Sequence, residues 1–104
     1  MITKDWVMEK NEKKKFVHLQ EEILDNLDTL LARVDLCTER GMKDYGASIY
    51  NRILELEEDI GGLETNDELE MIIVRAMAIE TEIDTWLSSQ GESTIGLNWP
   101  ETSI

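Results

Sequence analysis

The 104 residues include one cysteine, one histidine and one proline, and acids outnumber bases 23 to 10. Each scarcity excludes something. Cys37 has no partner in the chain for a disulfide, so a reducing compartment is the simpler expectation. With His18 alone, His- or Cys-based catalysis has few parts, and a carboxylate-bridged di-iron centre lacks the two Glu-x-x-His pairs that it needs. A formal charge of −13 argues against direct nucleic-acid binding, which draws its affinity from Lys and Arg displacing counterions. No apolar run approaches the roughly 18 residues that read as a bilayer span. Lys4, Asp5, Glu9 and Lys10 interrupt the stretch that a signal peptide would keep apolar. The expectation is a cytoplasmic chain with no membrane contact and no cofactor.

What the chain does have is helical periodicity. From Phe16 to Arg40, Phe16, Ile23, Leu30 and Cys37 recur every seven residues, with Leu27 and Val34 on the second core position and Val17, Leu24 and Leu31 beside them. A stripe of that width suits a helix touching two neighbours. Between Lys43 and Ile60 the repeat is Met42, Ile49, Leu56 and Leu63, paired with Gly46, Ile53 and Ile60; Gly61-Gly62 ends it. Thr65-Asn66-Asp67-Glu68 has the form of a capping box. Leu69, Ile72, Ala76, Ile79, Ile83 and Trp86 follow at spacings of three and four, and Gly91 closes the segment. Short connections make successive helices antiparallel neighbours. The predicted fold is all-α, an antiparallel up-down-up three-helix bundle over residues 16–90, with room for a short extra helix near Thr3–Glu9.

The ends differ in character. Residues 1–15, a basic leader or short helix, hold five lysines against three acids, whereas the rest of the chain carries −15. Residues 91–104 form a tail rich in Gly, Ser and Thr that also contains Ile95, Leu97 and Trp99. Such a tail is either loose or laid back over the bundle.

Two carboxylate clusters invite a catalytic interpretation. Glu21-Glu22-Ile23-Leu24-Asp25 and Glu55-Leu56-Glu57-Glu58-Asp59 partly match the paired acidic helices with which all-α nucleotide pyrophosphohydrolases hold magnesium. That chemistry requires oxygens converging inside the bundle, and the heptad register places Glu21, Glu22 and Asp25 outside. His18 is followed by Glu21 and Glu22, which would repel a phosphoryl group, so it is expected on the surface. The acidic body also suits a second reading, a nucleic-acid mimic that inhibits a nucleic-acid-binding protein.

One feature exceeds what a three-helix core requires. From Leu69 to Ile79 only Glu70 and Arg75 are polar, so Met71, Val74, Met77 and Ala78 lie outside the core stripe on an almost wholly apolar helix. A helix apolar all round is covered on more than one side, and methionine suits an adaptable contact. Candidates to cover this face are a terminal segment of the chain, through Trp6, Leu97 or Trp99, a second copy of the chain, or another protein. The expected function is a small, acidic, non-enzymatic adaptor or regulatory module that docks through Met71, Val74, Met77, Ala78 and Trp99.

Overall fold

A computed structural model describes the backbone of residues 2–101 and side chains from Lys13 to Glu101. Three helices follow in order, α1 (Ile2–Glu39), α2 (Asp44–Ile60) and α3 (Asn66–Ser89), and every pair of them packs together. The fold is an all-α three-helix bundle, with no strand among the described residues. The leader is continuous with α1: one helix of 38 residues replaces the short separate helix expected near Thr3–Glu9. At about 1.5 Å per residue it accounts for the molecule's 61 Å long dimension. Among the described side chains of α1, packing on the core starts at Phe16, and Lys13, Lys14 and Lys15 are exposed.

The core follows the sequence periodicity. Ile23, Leu27, Leu30, Val34 and Cys37 from α1 meet Ile49, Ile53, Leu56 and Ile60 from α2 and Leu69, Ala76, Ile79 and Ile83 from α3, all nearly or fully buried. Gly41 takes φ +112 after α1, a left-handed turn that a residue without Cβ enters at little cost. The Met42 N–H then reaches back to the Cys37 carbonyl at 2.9 Å, and Met42 itself drops into the core. Gly46 leaves room for side chains, not for a passing helix backbone: a Cβ there would stand 3.0 Å from Thr38 Oγ1 and 3.3 Å from Met42 Cγ. Ahead of α3, the Thr65 hydroxyl accepts from the Glu68 N–H at 3.2 Å while Glu68 Oε1 accepts from the Thr65 N–H at 3.1 Å. That reciprocal pair satisfies donors that the first turn leaves open.

Trp86 departs from the expected stripe. Leu87 is the buried residue at that level, and Trp86 packs on the edge of the core. The reason is that α3 buries two seams. Ile72 and Ile79 form one, and Leu69, Ile73, Ala76, Glu80, Ile83 and Leu87 form the other at spacings of four and three.

Cys37 is fully buried, and its thiol is pushed above its ordinary range by burial first and by the Asp84 carboxylate second. A thiolate is the reactive species. Labelling by a thiol reagent in native buffer is therefore expected to run at least tenfold slower than in urea. Equal rates would mean that the α1 register is wrong.

Candidate interaction face and the docked tail

Among the described residues nothing covers the outer side of α3; the side chain of Trp6 lies outside them. Met71 and Val74 are 58% exposed and Met77 is 47% exposed, and Ala78 is exposed beside them. Their spacing of i, i+3 and i+6 sets them along one side of the helix. Other exposed large apolar residues, Val17, Tyr45, Leu54 and Ile95, are distributed over α1, α2 and the tail. Single exposures of that kind are ordinary on soluble proteins.

Trp99 belongs elsewhere. The tail returns along α1 and α3 on the side of Glu80, where Leu97 and Trp99 pack against the core. Its backbone is neither helix nor strand; the Glu92 N–H donates to the Leu87 carbonyl at 3.0 Å, and beyond it side chains supply hydrogen bonds. Arg33 Nη2 donates to the Ile95 carbonyl at 2.5 Å, the Leu97 N–H donates to Glu80 Oε2 at 2.7 Å, and Asn26 Nδ2 donates to the Asn98 carbonyl at 2.7 Å. The Trp99 indole N–H adds a bond to Glu80 Oε1 at 2.9 Å. Arg33 Nη1 pairs with Asp84 Oδ1 at 3.0 Å and stands 3.7 Å from Glu80 Oε2. Arg40 pairs with Glu92 at the start of the tail. Trp99 is thus a packing residue in the α1–α3 groove, and the tail leaves Met71 and Val74 largely open to solvent.

Glu80, Arg33 and Asn26 are the residues that the sequence reading missed. A signal was present: Glu80 interrupts the seam Leu69, Ile73, Ala76, Ile83, Leu87, and Asn26 and Arg33 interrupt Ile23, Leu30, Cys37 at the same three-and-four spacing. A polar residue in such a series marks a place where something other than a helix face must be met.

The α2–α3 edge beside Met71 is acidic. An open cavity of about 430 Å³ has Leu63, Met71 and Ile72 among its lining, with Glu58, Asp59 and Glu68 around them and Arg75 at one side. The Glu64 N–H bound to Glu68, followed by the Thr65 hydroxyl, holds the Glu68 carboxyl below the usual range. Further along α3, Glu82 binds the Tyr45 hydroxyl at 2.5 Å and Arg52 Nη1 at 2.9 Å. These contacts, Tyr45 first, hold the Glu82 carboxyl low, and the same bond raises the Tyr45 phenol.

The carboxylates considered for magnesium do not form a centre. Among the described residues no three His, Cys, Asp or Glu side chains are gathered so as to hold a metal ion. Glu21, Glu55 and Glu58 are exposed, and Glu22 Oε1 lies 2.9 Å from His18 Nε2 one turn away. No helix of the described chain is long and apolar enough to cross a membrane. Compared with known proteins, the chain matches no family model, no curated protein and no solved structure.

Proposed function

We propose that the chain is a non-enzymatic interaction module that docks another protein through the outer face of α3. The observation that carries this reading is the exposure of Met71, Val74 and Met77 in one line while the chain's own tail occupies a different groove. Burial of a large apolar side chain recovers roughly 1.5–3 kcal/mol, and three such residues half in water leave much of that unrealised. Their backbone is an ordinary α-helix whose opposite side carries the core, so the face is presented rigidly and docking orders little. Low ordering cost favours affinity.

The test is a photo-crosslinking amino acid placed at position 74 of the full chain in its native cell, with position 35 on the exposed side of α1 as the control. A discrete adduct from position 74, absent from position 35 and lost when Met71→Glu is added, is the expected result. Met71→Glu is expected to leave stability within about 0.5 kcal/mol, as for most surface substitutions, so that loss of the adduct reports docking and not unfolding. Equal adducts from both positions would overturn the reading.

A further inference from the structure

The charge around the α3 face specifies what it takes. Around the cavity at its α2 end stand three acids, Glu58, Asp59 and Glu68, against one base, Arg75. The last turn of α2 brings Glu58 and Asp59 to this edge and holds no base, whereas Glu57 bonds Asp28 on α1. Carboxylates there oppose the negative end of the helix dipole, so a cation brought to them relieves an unfavourable field. Glu58 and Asp59 share their cavity with Met71 and Ile72, so the acidic end is continuous with the apolar face. Asp67 and Glu70 stand four and one positions before Met71 and are exposed.

We infer that the face receives a basic amphipathic helix from another protein: its apolar stripe lies on Met71, Val74 and Met77, and a Lys or Arg enters the cavity at the α2 end. The cavity suits such a side chain in both its parts, because methylenes can rest on Leu63, Met71 and Ile72 while the charged head meets Glu58 and Asp59. A second copy of this chain is a poor occupant. Three half-exposed side chains fall far short of the ~800 Å² per partner of a standard interface. A two-fold contact would have to extend over the rim, placing acid against acid between chains of −13 each. A basic helix extends over the same rim with opposite charge, which also speeds encounter.

This inference rests on the docking role proposed above and names its partner's chemistry. The probe is a dye-labelled helical peptide of Leu and Lys with one apolar face, compared with its Lys→Glu counterpart, each titrated with the full-length chain by fluorescence anisotropy. The basic peptide is expected to bind at micromolar concentration and the acidic one at least tenfold more weakly. Val74→Glu should weaken the basic peptide at least tenfold, and the double change Glu58→Gln with Asp59→Asn at least threefold. Asp35→Asn, on the outer side of α1, should leave binding unchanged. Circular dichroism of each variant confirms an intact fold. Basic-peptide binding insensitive to Val74→Glu would reveal diffuse attraction to an acidic surface and overturn the inference. So would a concentration-dependent dimer in sedimentation that Val74→Glu abolishes. A specific cellular adduct at position 74 together with no preference for the basic peptide would leave the docking role standing and remove the basic helix.

Discussion

Glu80→Ala is expected to lower the stability of the folded chain by about 2–4 kcal/mol and to release residues 92–101 from the bundle. Glu80 is 9% exposed, and both of its oxygens are occupied by the tail, one by the Leu97 N–H and one by the Trp99 indole. Hydrogen bonds to a charged group contribute roughly 1.5–3 kcal/mol each when one partner is removed. The cost has a ceiling, because a freed tail can satisfy its own N–H groups in water. What is lost beyond that is the packing of Leu97 and Trp99 on the core. Arg33 keeps Asp84 at 3.0 Å, so the substitution leaves no unpaired buried cation. Glu80→Gln preserves volume and one acceptor but turns an NH₂ toward a donor, so an intermediate loss is expected. Urea unfolding measures the loss, and hydrogen exchange at the Leu97 amide locates it. Protection at Leu97 should vanish in Glu80→Ala while core amides of α1 and α2 stay protected. A protected Leu97 amide would mean that the tail is held by its side chains alone.

This tail marks the boundary of what was legible in the sequence. Periods of seven along Ile23, Leu30, Cys37 and along Ile49, Leu56 identify faces that exclude water, because burial is a property of spacing on a helix. Local chemistry was equally readable: the Thr65–Glu68 box and the glycine after α1 act within a few residues of themselves. The tail depends on pairs far apart in sequence. Asn26 and Asn98 are separated by 72 positions and Arg33 and Ile95 by 62, and no periodicity links an extended segment to the groove that holds it. Counting apolar faces showed that α3 had more apolar surface than two helices cover. It did not show which part the tail would take, because that choice is made by Glu80, a polar residue within an apolar seam. The tail follows its hydrogen bonds to that seam, and the more apolar face of Met71 and Val74 stays open.

A half-buried carboxyl gives the remaining large effect, and here its size depends on pH. Glu57 on α2 has one oxygen, Oε1, buried without a hydrogen-bond partner. Its carboxyl is pushed up to about 7, first by burial, then by a hydrogen bond to Asp28 on α1 and by that group's charge. Two carboxyls hydrogen-bonded to one another require a proton between them, so the folded chain holds a proton that the unfolded chain, with an ordinary value near 4.5, releases. Stability from this group is therefore fully present below about 4.5, declines as pH rises toward 7, and is absent above it. Glu57→Gln replaces the titrating proton with an amide N–H that donates to Asp28 at every pH. At 1.36 kcal/mol per pKa unit the whole shift corresponds to about 3 kcal/mol. Water reaches the exposed Asp28 side of the pair, which screens part of this, so a gain of about 1–2 kcal/mol at pH 8 is expected. At roughly 4–8 °C per kcal/mol for a domain of this size, the variant should melt visibly higher than the parent at pH 8. The gap should narrow through pH 6 and close near pH 4.5. Taking the difference between the two proteins at each pH cancels the titration of the other carboxylates. A difference that stays constant from pH 4.5 to 8 would show that Glu57 and Asp28 do not share a proton in the folded chain.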